Sequence, residues 1–482
     1  MRSDKKEFWE HDIHYIGPDS GWILEHGKKT GKKGAGKFGG FYRHETAPVR
    51  VFYKQDPEIA KNIGEFAASR VMRRLAERSG QADYVARVEL ARVVTDQLEQ
   101  IDPEENGEHI YVASVLHRNF NSVSDDATIA YNLAFQKTST SNTSSYESDK
   151  KMPDRPKYFG SQASQDRINT VIASGRYPGF SLLAALSAFV DNPDVHTENF
   201  GAVPLLGTED DVIEYKIRRG KEEEVYKFYK HVHAVSLDFG EAWGDRRFGK
   251  PRKFDGEFHF KDFFRYYPSF SAPPNYFRLI PDEILQGEEF YTALAEIAAF
   301  PKDELWICID DTVNELGAYY GRHPLLDFAN MIGVQHINKD DDKLLVMEKT
   351  KNFLFTCLRS RQIHAYKLAK ANLSANQLSA VLKDSVIQDL KSDRKIAFTE
   401  RLEARKKRSR VSSEAVPAVK VKSMSFLHAA AIPFLALYYA LSSVVTEANE
   451  WRKTHGFFGA KKKPASDTAD ELTKLPAKKK KH

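Results

Sequence analysis

The chain has 482 residues, of which 41% are hydrophobic, 12% aromatic and 29% charged, the balance of a soluble globular protein with a sizeable core and two or three domains. Its formal net charge of +5 is too small for this length to argue for nucleic acid as a partner. Two cysteines, Cys308 and Cys357, exclude a disulfide framework or a four-cysteine metal site, and read as buried small residues in a reducing compartment.

Residues 1–26 read as a lead-in, and their opening lacks the apolar run of a secretory signal peptide. A Gly/Lys-rich stretch follows from Gly27 to Gly40. Its Gly31-Lys-Lys-Gly-Ala-Gly-Lys37 run is not a Walker phosphate loop, because Phe38 stands where Ser or Thr is needed and no hydrophobic strand leads in. Val49–Lys54 alternates like a strand. Residues 57–79 place Ile59, Ile63, Phe66, Ala67, Val71 and Leu75 at helical spacing, which predicts an amphipathic helix. A second helix is expected through Leu90 and Val94, then a strand over Ile110–Leu116. Residues 136–155 have a linker's composition, and 177–190 that of a buried helix. Val235–Asp238 reads as a short strand, and Arg246–Pro274 as a long aromatic and basic loop. Beyond residue 340 helical patterns run to Arg410, followed by a linker, an apolar stretch from Phe426 to Val445, and a Lys-rich tail. The apolar stretch is open to three readings: a buried helix, one dipping into a membrane surface, or a span.

Two short motifs carry the chemistry: Asp194-x-His196-x-x-Asn199, and Val235-Ser-Leu-Asp238-Phe-Gly240 at the end of an apolar strand. Phosphoryl transfer needs a carboxylate beside the attacking hydroxyl and hard oxygen ligands that hold Mg²⁺ against the phosphates. Asp194 would orient or deprotonate the acceptor, while Asn199 and Asp238 would hold the metal. Each motif alone is an ordinary polar turn; their order and spacing give them weight. Upstream, Gly34, Gly36, Gly39 and Gly40 precede Lys54 at the end of a strand, and Glu65 follows eleven residues later on the next helix. A strand lysine that contacts nucleotide phosphates, fixed by a helix carboxylate, is the complementary half of such a site.

Asp194-x-His196-x-x-Asn199-Phe-Gly resembles the catalytic loop of the HipA-like and phosphoinositide 3/4-kinase-like branches of the kinase superfamily, with Val195 where those branches carry Arg. Lys54 and the segment Glu65–Arg70 resemble their lysine strand and following helix. The resemblance implies an α+β, two-lobed protein kinase-like fold with ATP and Mg²⁺ as cofactors, a hinge near Ser114–Arg118, Asp194 and His196 as catalytic residues, Lys54, Glu65, Gly36 and Gly39 around the nucleotide, and Asn199 and Asp238 on the metal. It divides the chain into a lead-in (1–26), an N-lobe (27–118), a C-lobe (119–335), an all-helical C-terminal domain (340–450) and a basic tail (451–482). The helical region is similar to the phosphoinositide-binding modules of effector kinases secreted by Legionella-type intracellular bacteria, although this tail ends in lysines where such effectors are often acidic. That likeness implies a cytosolic protein, peripheral on intracellular membranes and delivered into a host cell.

The leading expectation is transfer of the ATP γ-phosphate to protein hydroxyls, including the chain's own. A phosphoinositide kinase is the alternative, and a pseudokinase or membrane adaptor the alternative from another class. Arg246, Arg247, Lys250, Arg252 and Lys253 follow Asp-Phe-Gly directly; they read either as a solvated basic face or as a site for a polyanion such as an inositol polyphosphate activator. Arg359, Arg361, Lys367 and Lys370 read either as exposed charges of a helical bundle or as holders of an anionic lipid headgroup. The sixteen histidines show no metal-ligand spacing, and His231 and His233 read as packed.

Overall fold

Alternation along six short strands decides which face of the first sheet the rest of the chain covers. They are β1 (Tyr15–Ile16), β2 (Trp22–His26), β3 (Gly40–His44), β4 (Arg50–Lys54), β5 (Val88–Val93) and β6 (Ile110–Val115), in the order β1-β5-β6-β4-β3-β2. The computed structural model describes residues 13–17, 20–26, 38–46, 49–93, 107, 109–117, 119–136, 162–195, 199–219, 222–244, 254–256, 267–268, 276–277 and 280–393, all within one unit, Met1–Thr399. On one face of the sheet Val51, Tyr53, Tyr111, Ala113 and Val93 form a small cluster of their own. On the other, Val88, Leu90, Ile110 and Val112 join the main core, against helix α1 (Ile59–Glu77). Lys54 pairs with Val112, and residues directly opposite share a face, so its side chain points to the side that α1 covers.

The fold departs from the sequence expectation at two places. Residues 1–26 are not a mere lead-in, because β1 and β2 complete the sheet; β1 has only two residues, and in β2 the apolar Trp22, Ile23 and Leu24 run consecutively and show no alternation. Leu90 lies on a strand and not on a second helix: Val88 and Leu90 face one side while Ala91 and Val93 face the other.

The second lobe begins with β7 (Asn121–Ser122) and helices α2 (Val123–Gln136), α3 (Gln162–Ala173) and α4 (Phe180–Phe189). All ten residues of α4 are buried, as expected of a helix apolar all round. Strands β8 (Phe200–Pro204) and β11 (Val232–Ser236) flank a hairpin of β9 (Val212–Arg219) and β10 (Glu222–Tyr229), and β11, β8 and β7 form a three-stranded sheet in that order. A small pair, β12 (Tyr267–Pro268) and β13 (Tyr276–Phe277), precedes helices α5 (Asp282–Leu285), α6 (Glu288–Ala299), α7 (Lys302–Tyr319), α8 (Arg322–Ile332), α9 (Lys343–Asn372) and α10 (Ala375–Val381), with a further helical run over 384–393. The result is a two-lobed α+β fold whose described C-terminal region is helical.

Helix α9 packs on α6, α7 and α8 and shares their core, so residues 343–372 continue the second lobe with no break at 340. Its buried stripe runs through Met347, Thr350, Leu354, Cys357, Leu358, Arg361, Ala365 and Ala369, a spacing of three and four that includes Arg361. Arg359 and Arg361 therefore do not hold a lipid headgroup: they are 5% and 1% exposed, and Arg359 binds Asp393 at 2.7 Å and Gln362 at 2.9 Å. Lys367 and Lys370 are exposed. Among the described residues no helix is long and apolar enough to cross a membrane, and Phe426–Val445 lies outside them.

Gln362, fully buried, donates to the carbonyls of Ile297 (3.0 Å) and Phe300 (2.9 Å) at the C-terminal end of α6, where helical acceptors run out. Gln362→Leu keeps the volume and removes both donors. We expect it to lower stability by about 1–3 kcal/mol, read as a lower denaturant midpoint at unchanged slope.

Candidate active site

The sheet and α1 bring the first half of the site together. Residues Asn62 to Ser69 of α1 are all buried, so Glu65 is held at 2% exposure on the face turned toward β4. Lys54 Nζ lies 2.9 Å from Glu65 Oε2 and 3.0 Å from Asp238 Oδ1. Burial works against the Lys54 ammonium, but Asp238 and Glu65 outweigh it and hold its pKa above the usual lysine value. Burial also pushes the Glu65 carboxyl up to about 7 against the pull of Lys54, and its Oε1 has no hydrogen-bond partner among the described residues.

The second half is built by β8 and β11. Their antiparallel register sets Phe200 opposite Ser236, and one step further the Leu237 amide donates to the Asn199 carbonyl at 3.0 Å. Asn199 and Asp238, thirty-nine positions apart in sequence, thereby come from the ends of neighbouring strands. The Asn199 side-chain amide donates to the Asp194 carbonyl and to Asp194 Oδ2, both at 2.9 Å. Burial first, then the charges of Asp238 and Glu241, push the Asp194 carboxyl up to about 7, against the opposing pull of Asn199 and Lys54. The Gly240 amide donates to Asp238 Oδ1 at 3.1 Å, while Phe239 is fully buried in the core.

Of the residues singled out from sequence, the structure thus joins Lys54, Glu65 and Asp238 by direct ion pairs, with Asp194 and Asn199 hydrogen-bonded beside them. Gly39 precedes the Gly40–Tyr53 pair and so stands level with Lys54. The end of the glycine stretch is fixed by the Phe38 amide on the Tyr111 hydroxyl (3.2 Å) and the Tyr42 hydroxyl on the Phe38 carbonyl (2.8 Å). Gly36, His196, Arg246, Arg247, Lys250, Arg252 and Lys253 lie outside the described residues. His233 is packed, stacked on Tyr84 at 4.5 Å, but His231 is exposed beside Asp211.

Several further residues shape the site without having been assigned to it from sequence. Asn192 donates to the Asp238 carbonyl at 3.0 Å and accepts from the Asp194 amide at 3.3 Å, cross-linking the two loops. Asp191 adopts a positive φ of 55°, which Asp tolerates better than most residues. Arg361 fixes that bend: it binds the Ala188 and Phe189 carbonyls at 2.9 and 3.2 Å and lies 3.4 Å from Asp191 Oδ2. Glu241 pairs with Lys61 of α1 at 2.8 Å.

No family model matches the chain, and no curated protein matches it. Among solved structures it is similar to a Helicobacter pylori proinflammatory kinase, CtkA, at 11% identity, over 73% of this chain and 97% of that one, with a TM-score of 0.28. At that distance the likeness adds nothing to the side-chain geometry, on which the functional reading rests.

Proposed function

We propose that the chain is an ATP- and Mg²⁺-dependent phosphotransferase acting on protein hydroxyls, its own included. The observation that carries this is the position of Lys54 between Glu65 and Asp238, beside the hydrogen-bonded pair Asp194–Asn199. One lysine held charged, one carboxylate buried behind it and a cluster of hard oxygen donors in front are the parts that phosphoryl transfer uses.

The donor set fits magnesium rather than a cage-bound metal. Among the described residues no group of three or more His, Cys, Asp or Glu is arranged to hold an ion. Magnesium keeps several waters and takes one or two carboxylates plus phosphate oxygens, which Asp238 and Asn199 can complete. Asp238 is 42% exposed at its side chain and already oriented by the Gly240 amide. Bound magnesium would neutralise charge developing on the transferred phosphoryl group. Lys54 would exchange Asp238 for phosphate oxygens while Glu65 keeps it in place. Asp194, oriented by Asn199, would accept the proton of the attacking hydroxyl, for which a carboxyl poised near neutral pH is suited.

The acceptor class is tested by supplying γ-labelled ATP and Mg²⁺ with a generic protein, phosphoinositide vesicles or an inositol polyphosphate in separate reactions. Label on protein, including the chain itself, is the expected result. Label confined to the lipid would replace this reading with a phosphoinositide kinase.

A further inference from the structure

Trp243, five residues beyond Asp238, is tied to both lobes at once. Its backbone amide donates to the Val190 carbonyl at 3.0 Å, at the start of the loop that carries Asp194. Its indole Nε1–H donates to the Gly64 carbonyl at 2.7 Å, in the middle of α1 and next to Glu65. The side chain is 1% exposed and meets Phe254 edge-on at 5.0 Å; Arg361 lies 4.3 Å over the other ring of that pair. A continuous buried stack therefore runs from α1 through Trp243 and Phe254 to Arg361, and from Arg361 to Asp191.

Two independent features show that local preference is overridden to make this contact. Trp243 has a φ of 72°, a region that bulky residues avoid and keep only where their surroundings enforce it. Gly64 sits inside a helix, where glycine is disfavoured relative to alanine. A Cβ there would lie 3.2 Å from the Trp243 ring and 3.3 Å from Met331, tighter than ordinary contact, so the close approach of the indole explains the glycine. The carbonyl has two lone pairs and accepts the indole alongside its helical bond. The neighbouring Lys61–Glu241 pair links the same elements, but at 19% and 37% exposure it is a weak tie.

We infer that Trp243 is a positioning residue that locks Glu65, and through it Lys54, in register with the Asp194–Asp238 loops. This inference rests on the phosphotransfer reading for its effect on turnover, but not for its effect on α1. Trp243→Phe keeps the ring against Phe254 and removes only the N–H donor. In the full chain we expect amide hydrogen exchange over residues 62–69 to quicken by about threefold to tenfold, the equivalent of one hydrogen bond, with α6 unchanged. Turnover should fall by a similar or larger factor with nucleotide KM little altered, and Gly64→Ala should do the same by pushing the indole away. In a Glu65→Gln background Trp243→Phe should add little, because the residue acts through Glu65. Unchanged exchange over 62–69, or a full additional loss in the Glu65→Gln background, would overturn the inference. Should the wild type transfer no phosphate, the phosphotransfer reading fails and the exchange measurement alone decides the lock.

Discussion

Asp194→Asn lowers turnover by about 10²- to 10⁴-fold, the range a positioned general base contributes, while nucleotide binding survives. The side chain keeps its shape and its place beside Asn199, so the loss isolates proton acceptance from the metal-holding role proposed for Asp238. The pH dependence gives a second signature. Burial together with Asp238 and Glu241 puts the Asp194 carboxyl at about 7, so it carries a proton below neutrality and cannot accept another. Wild-type kcat/KM should therefore rise with pH and level off above about 7, and the residual rate of the variant should lack that limb. Stability moves the opposite way. A carboxyl whose folded pKa is raised favours the folded state in its protonated form; that contribution is complete below the ordinary carboxylate value near 4 and is lost as pH rises through about 7. Asp194→Asn should accordingly melt above the wild type at about pH 8, with the difference vanishing by about pH 4–5.

Lys54→Met has the next largest effect, and it falls on binding as well as rate. Losing one donor aimed at developing charge costs about 10²- to 10³-fold in turnover, and nucleotide phosphates would lose the strand-borne cation proposed to meet them. The fold also suffers, because removing one partner of a buried ion pair leaves a charge behind, at a cost of about 3–5 kcal/mol where burial is complete. The cost here is smaller and depends on pH. Glu65 already titrates at about 7, and without Lys54 its pKa rises further, so it takes up a proton and escapes the penalty in mildly acidic solution. Melting of Lys54→Met should therefore trail the wild type more at about pH 8 than at about pH 6, and ATP titration should show weakened binding at both. Equal nucleotide affinity in the two proteins would remove Lys54 from the site.

The readable part of this site is the part made of short motifs at strand and helix ends. Lys54 closes an alternating strand and Glu65 falls in the next amphipathic helix, so their meeting follows from the strand's facing and the helix that covers it. Asn199 and Asp238 sit where apolar strands start or stop and Asp194 in the loop between α4 and β8, and turn chemistry marked them. Other elements escaped because their determinants lie in tertiary contacts. Strand β1 is too short for a period to show, and the apolar residues of β2 run consecutively. Leu90 lies four residues before Val94, a spacing that fits a helix, but its neighbours alternate across a sheet. Arg361 looked like surface charge because arginine is most often exposed; only its place on the stripe with Leu358 and Ala365 signalled burial. Trp243 offered no local cue, since its role depends on Gly64, 179 residues away.

Phosphotransfer at this site is tested with γ-labelled ATP and Mg²⁺ supplied to the wild type and to Asp238→Ala. Asp238 is 42% exposed at its side chain and contributes little to the core, so the variant should fold with a near-normal melting midpoint. Label transfer by the wild type that is absent in Asp238→Ala is the expected result. Transfer at equal rates in both proteins, or none in the wild type with any acceptor and no ATP binding, would contradict it.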